Sequence, residues 1–426
     1  MISYKNLAAA LALATGIYLN ASAQITQSLQ IAPATSVNVS NSRLQRIDQV
    51  IQNSISKKEI AGAVAFIARD GKIVYNKAFG YSDAISKQPL STDNIFRIAS
   101  QTKAITSVAV MMLFEEGKFL LDDPISKYIP AFAKPVVLDQ FNAADSSYTT
   151  VPAKREVTIR DLLTHTSGID YSVIGSANYK AIYGKAGIPV GFENGTLSLK
   201  DAIDKLGKLP LAHHPGEKFT YGLNTDVLGR LVEVATGTSL DKFFQERIFK
   251  PLGMNDTYFF LPKEKQSRLV SIHRYDEQNN LIRYERNGNI TADYPTRNGT
   301  YFSGGAGLSS TITDYASFLQ MLLNKGVYNG KRLLARHTVE MMTSNQIGDL
   351  NVRGDKFGLG FQITSKQSQA KLGQTEGSFA WGGYFGTTYW VDPVEKLVCL
   401  IFTQQSPLKS DLHDKFRAAV YQSLND

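Results

Sequence analysis

A single cysteine in 426 residues leaves no partner for an internal disulfide, so stability must come from packing rather than covalent staples. Cys399 lies in the apolar run Leu397 to Phe402 with nothing beside it to lower a thiol pKa, and reads as a buried strand residue rather than a nucleophile. Clustered charge is equally scarce. The formal net charge is +8, but the basic residues are spread out, which argues against nucleic acid or a membrane surface as partner. Rival hydrolytic signatures are missing as well. There is no Gly-x-Ser-x-Gly elbow, no His-Glu-x-x-His among the six histidines, and no Gly-rich phosphate loop after a strand. His213 and Glu217 are four apart, but Pro215 and Gly216 lie between them and favour a loop, so no metal site is expected there. No pattern calls for a cofactor, and nothing sets an oligomeric state. Internal repeats and low-complexity tracts are absent after residue 23.

What is present begins with an address. Residues 1–23 hold one charged side chain, Lys5, an apolar run from Leu7 to Leu19, and Ala21-Ser22-Ala23 before Gln24. That is the layout of a secretory signal peptide, too short to stay as a permanent anchor. The expected protein is exported, periplasmic or secreted, with no stable membrane anchor after cleavage. Residues 24–41 are polar and small without period, and read as a flexible leader.

Hydrophobic residues make up 43% of the chain, enough for a large core in two lobes. Leu44, Ile47, Ile51 and Ile55 form a helical stripe. Two β-rich runs, Ala61 to Arg69 and Lys72 to Gly80, flank Asp70-Gly71 and predict a hairpin. Residues 130–156, punctuated by Pro130, Pro135 and Pro152, read as loop. Helices follow: Thr158 capping Ile159 to Leu163, Ser198 capping Leu199 to Leu206, Thr225 to Ala235, Ser239 capping Leu240 to Phe249, and one capped by Thr313. Strands return at Phe357 to Thr364, Phe379 to Val391 and Leu397 to Thr403, before a last helix holding Phe416, Ala419, Val420 and Leu424. Strands at both ends with helices between predict an α+β fold, an antiparallel sheet flanked by terminal helices with an inserted mainly helical lobe. The α/β lobe spans about 42–115 and 300–424, the helical lobe about 116–299. The cleft between the lobes is the expected site.

Chemistry concentrates at Ser100-Gln101-Thr102-Lys103. Residues three apart share a helix face, and a serine becomes a nucleophile when a neighbouring base takes its proton. Ser-x-x-Lys occurs five times, starting at Ser54, Ser100, Ser239, Ser368 and Ser406. Only Ser100 opens a strongly apolar helix, with Ile105, Val108, Ala109 and Met112 on one stripe, little polar face elsewhere, and Gly117 as its stop. Burial in such a helix destabilises an ammonium, which a lysine base needs. Tyr221, just before a helix, is a candidate second proton carrier, although a tyrosine there also fits simple packing. Trp381-Gly382-Gly383-Tyr384 opens a late strand, where the glycines mark either a bulge or a close backbone approach.

The order Ser100-x-x-Lys103, Tyr221, Trp381-Gly382-Gly383 resembles the penicillin-recognising serine hydrolases, and more narrowly their class C β-lactamase-like branch. Leu162 to Gly168, Tyr221 to Gly229 and Gly304 to Thr311 match that branch too, and the likeness covers roughly 42–424. The resemblance implies Ser100 as acylated nucleophile, Lys103 as its proton partner, and Tyr221 as general base and carrier to the leaving group. It also implies the backbone amides of Ser100 and Tyr384 as oxyanion hole, and a structural rather than catalytic His165. Two departures bear on substrate. The family's Tyr-x-Asn becomes Tyr221-Gly222-Leu223 with Asn224 one place late, so Asn224 is a doubtful but still named substrate-binding candidate beside Trp381, Gly382 and Gly383. Where the family carries Lys-Thr-Gly, this chain has Trp381-Gly382-Gly383, similar to the family VIII carboxylesterases, which favour neutral esters. The implied activity is an exported serine hydrolase on a small-molecule ester. The rivals are a β-lactamase, D-aminopeptidase or D,D-peptidase acting on amides, and a non-catalytic peptidoglycan- or ligand-binding protein.

Overall fold

Alternation along one central strand divides the protein into two faces. The computed structural model describes residues 28–193, 197–288 and 290–425, and the signal-peptide expectation for 1–23 lies outside them. The main sheet is built from Gln30–Ile31 (β1), Gly62–Arg69 (β2), Lys72–Asp83 (β3), Lys356–Phe357 (β4), Gln362–Ile363 (β5), Phe379–Gly382 (β6), Thr387–Asp392 (β7) and Leu397–Phe402 (β8). They lie in the order β1-β3-β2-β8-β7-β6-β5-β4, with Gln88–Pro89 added beside β3. Only β1 joins in parallel. Every residue of β2 and β8 is buried, as expected of strands covered on both faces. Val64, Phe66 and Ala68 of β2 enter one core, and Ala63, Ala65 and Ile67 the other.

The helices that cover these faces read directly from their apolar stripes. Asn41–Ser56 (α1) and Leu412–Gln422 (α5) pack Leu44, Ile47, Ile51, Phe416 and Val420 against Ala65, Ile67, Trp390 and Cys399. Thr102–Glu115 (α2) and Ile312–Leu323 (α4) lie on the opposite face, with Ile105, Val108, Met111, Tyr315 and Phe318 in that core. Between α2 and α4 runs the helical lobe, whose Asn224–Thr236 (α3) packs on α2. Helix α2 is buried from Thr102 to Leu113, Lys103 included. The antiparallel sheet with terminal helices and an inserted helical lobe is the predicted fold class.

Several local expectations are corrected. From residue 28 the leader is no flexible tail: β1 pairs with β3, Ala34 is buried, and Val39 bridges Leu424. Residues 130–156 contain a hairpin, Val136–Phe141 with Tyr148–Pro152. Its second strand is exposed throughout, so no apolar alternation announced it, and its Pro152 falls at the strand end where a missing N–H is tolerated. The run Phe357 to Thr364 is two short strands, β4 and β5, and Phe379 to Val391 splits into β6 and β7 around a turn. Helix α4 is capped by Thr311, whose hydroxyl accepts from the Asp314 amide at 3.2 Å, rather than by Thr313. After Ser239 the helix widens into a π turn at Gln245–Phe249.

Burial holds the imidazoles of His165, His213, His273 and His413 below their ordinary value, that of His413 at about 4. Each takes up a proton less readily in the fold than in the unfolded chain, so stability falls as pH drops from about 6.5 towards 4. Asp314, raised by burial to about 6, and Asp226, also raised by burial, act in the opposite direction but are two groups against four. The urea midpoint is therefore expected to be lower at about pH 5 than at about pH 7.5. Removing the Met111 side chain from the filled core beneath the site should cost about 2–5 kcal/mol in Met111→Ala, read from urea unfolding.

Candidate active site

Ser100 sits in the 3-10 turn Ala99–Gln101 that feeds straight into α2. The residue before it, Ala99, is at φ 46, a left-handed conformation that costs a non-glycine residue about 1–3 kcal/mol and is kept only where the surroundings enforce it. Phe96–Arg97 pairs with Ser309–Ser310, and the buried Arg97 guanidinium donates to the Ala292 and Val270 carbonyls, so the turn is anchored on its N-terminal side. The helical spacing then brings Lys103 Nζ to 3.4 Å from Ser100 Oγ.

Lys103 is only 2% exposed, and its three nearest partners are oxygens from three parts of the chain. Besides Ser100, it donates to Tyr171 Oη at 2.8 Å and to the Gly305 carbonyl at 2.7 Å. Its ammonium position also lies 4.6 Å from the ring centre of Tyr221. Sequence reasoning missed Tyr171, which follows the Leu162 to Gly168 stretch by three residues with no spacing to mark it. Burial first, then the neighbouring Tyr221 and Asp226, pushes the Tyr171 hydroxyl well above its ordinary range and keeps it a phenol.

Asp226 was missed too. It is fully buried on α3, accepts from Ser303 Oγ at 2.7 Å and Tyr301 Oη at 3.2 Å, and is raised by burial, an effect opposed by Ser303 and the Lys103 charge. Gly305 lies between the two charged groups. Its carbonyl takes Lys103, and a Cβ on it would come within 2.4 Å of Asp226 Oδ2, so only glycine fits.

Tyr221 stands where the sequence placed it, immediately before α3, and Trp381 on β6 donates its indole Nε1–H to the Tyr221 hydroxyl at 3.3 Å. The two rings are 5.2 Å apart, and Tyr221 also meets Tyr171 and His165. His165 is buried, and its Nδ1 accepts from the Asn224 amide at 2.9 Å. Burial and the Lys103 charge hold its imidazole well below its ordinary value, which suits a neutral brace for the Tyr221 loop. Asn224 is the correction. It is 0% exposed, bonded to Ser167 Oγ at 2.5 Å as well as to His165, because the one-residue delay moves it from the cleft wall to the inward start of α3. It cannot touch a substrate.

The glycines of the late strand differ from one another. A Cβ on Gly383 would meet the Ile98 carbonyl at 2.5 Å and Thr387 Oγ1 at 2.2 Å, whereas one on Gly382 meets nothing closer than 3.4 Å. Close approach of the strand to the Ser100 turn therefore rests on Gly383. Among the described residues neither the Ser100 nor the Tyr384 amide donates to a carbonyl in a turn, loop or cap. His213 and Glu217 point to separate partners, Thr220 and Lys154, and no group of three His, Cys, Asp or Glu among the described residues could hold a metal.

A serine at the head of a buried helix, a lysine three residues on, and a tyrosine from an inserted helical lobe define the β-lactamase and transpeptidase class of fold. The chain belongs to the β-lactamase family, whose description, "Beta-lactamase", matches residues 47–423. It is 34% identical to Protein Rv1367c of Mycobacterium tuberculosis over 82% of this chain and 86% of that one. It is 31% identical to esterase EstB of Burkholderia gladioli, over 88% of this chain and 94% of EstB. Among solved structures it is similar to EstCE1, described as a hydrolase with promiscuous acyltransferase activity, at a TM-score of 0.77 and 27% identity, covering 89% and 98% of the two chains. The protein is a serine hydrolase with esterase relatives.

The Tyr171 hydroxyl completes the polar shell of a buried amine, so Tyr171→Phe should lose about 1.5–3 kcal/mol of stability. Urea unfolding reads the loss, and a change below about 0.5 kcal/mol would show that Lys103 does not depend on this partner.

Proposed function

We propose that this enzyme is an exported carboxylesterase that cleaves small neutral esters through an acyl-enzyme at Ser100. The observation that carries the proposal is the indole of Trp381 bonded to the Tyr221 hydroxyl, at the strand position where the resemblance places a lysine for a substrate carboxylate. An aromatic wall of Trp381 and Tyr221, backed by the buried Phe357, offers apolar surface and no charge to the group it faces. The 31% identity to an esterase points the same way, and the layout of residues 1–23 supports export.

In acylation Ser100 Oγ bonds to the ester carbonyl carbon. Its proton passes through the Lys103 and Tyr221 pair, with Tyr221 as base, and ends on the departing alkoxide as the ester C–O bond breaks. The amides of Ser100 and Tyr384 stabilise the tetrahedral oxyanion, each such donor contributing about 2.7–4 kcal/mol. Water then attacks the acyl carbon, gives its proton to the same pair, and Ser100 leaves with a proton returned. Tyr171, Asp226 and His165 position the Lys103 and Tyr221 side chains without touching substrate.

A short-chain p-nitrophenyl ester should be hydrolysed, with kcat falling by about 10⁴–10⁶ in Ser100→Ala and by about 10²–10⁴ in Tyr221→Phe. Absence of turnover on any ester, or failure of a fluorophosphonate to label Ser100, counts against the proposal. Fast opening of a chromogenic cephalosporin would move the assignment to a β-lactamase.

A further inference from the structure

Resting on the ester reading, and narrowing its neutrality to the groups beside the scissile bond, we propose that the enzyme selects substrates whose far end carries an anion, a carboxylate or phosphate, held by Arg274 and Arg286 in a cleft that borders Tyr384. The cleft has a volume of about 590 Å³. Arg274, Arg286, Tyr275, Tyr284 and Tyr384 are in its wall, and no acidic side chain lines it. Tyr384 ties the cleft to the chemistry, because it also packs in the apolar cluster that contains Ala99, the residue before Ser100. A substrate lying along Tyr384 would have its reacting end at Ser100 and its other end among the arginines.

The charge balance in the cleft is what an anion needs. Most arginines in this fold are taken by carboxylates: the nearby Arg283 pairs with Asp83 at 2.6 Å, and Arg297 pairs with Asp293. Arg286 instead donates its Nε–H to the Gly288 carbonyl at 2.9 Å, neither it nor Arg274 forms a salt bridge among the described residues, and Asp276 feels the charge of Arg274 without one. The acid closest in sequence to Arg274 is Asp276, whose oxygens accept from the Gln278 and Asn280 amides and the Asn280 side chain. A third positive charge is close at hand, since Lys409 Nζ lies 5.1 Å from the ring centre of Tyr275. Two guanidinium groups with free donors can bind a planar carboxylate or a phosphate by charge-assisted hydrogen bonds. The rings of Tyr275, Tyr284 and Tyr384 in the cleft wall suit an apolar connecting chain. The charge that Trp381 withholds from the scissile bond is thus supplied farther along the substrate.

Titration calorimetry on full-length Ser100→Ala protein, which cannot form an acyl-enzyme, tests this with hexanoate, hexyl phosphate and neutral hexan-1-ol. At low salt at least one anion should bind about tenfold more tightly than the alcohol, and the tighter of the two identifies the group the cleft takes. The preference should shrink to about twofold or less at high salt and in the added R274A/R286A substitution. It should persist in R274K/R286K, which keeps both charges and reports on folding. Equal binding of anions and alcohol, or a preference that survives R274A/R286A, overturns the proposal. Turnover of a neutral ester by the unsubstituted enzyme is measured in parallel. Its absence would refute the ester reading, while the anion preference is judged by the titrations alone.

Discussion

The burial of Lys103 is the constraint on which the rest of the structure depends. An amine taken from water needs every hydrogen-bonding direction filled, and here the fillers come from places far apart in sequence. Ser100 is on the same helix, Tyr171 comes from the helical lobe, and the Gly305 carbonyl comes from the segment that returns to the sheet. Asp226 places a buried carboxylate against the other side of Gly305. Ser100 is supplied by helical spacing alone, but Tyr171 and Asp226 reach this position only where the segment between residues 116 and 299 packs on α2. Filling the shell of the buried amine and packing that segment on α2 therefore depend on each other.

Around that shell the residues proposed to carry the reaction are packed against one another. Trp381 hydrogen-bonds Tyr221 and packs its ring at a tilt against it, so the proposed proton carrier is braced by the residue proposed to make the site apolar. Positive charge is absent from that strand position, while Arg274 and Arg286 share a cleft with Tyr384. In the proposed reaction, chemistry and substrate choice are carried by different residues, as fits a fold that hosts many activities.

Much of the fold was legible because its signals are periodic. The stripe of α1, the all-round apolar α2 and the β2–β3 hairpin each bury what their sequence pattern says they should. The elements that were missed lack such a pattern. The Val136–Phe141 and Tyr148–Pro152 hairpin is largely exposed, so its pairing is held by backbone hydrogen bonds that composition does not report. Residues 28–41 look unstructured by composition, yet they gain order from β3, which pairs Lys72 with Gln30, and from Leu424 at the far end of the chain.

The candidate site divides in the same way. Ser100 and Lys103 are determined by local sequence, since helical spacing alone brings them to one face, and Trp381 announces itself by standing where a charged residue is expected. Tertiary structure decided the rest. Tyr171 becomes a partner of Lys103, and Asp226 comes close enough to feel its charge, only because α3 and the Tyr171 loop pack on α2, and no spacing along the chain encodes such a meeting. Asn224 shows the converse: a motif residue one position late is carried by helix geometry from the cleft into the interior, where its amide serves His165 instead of a ligand. Sequence sets which groups a helix turn can pair, but which groups meet across the fold depends on how a buried amine is satisfied in three dimensions.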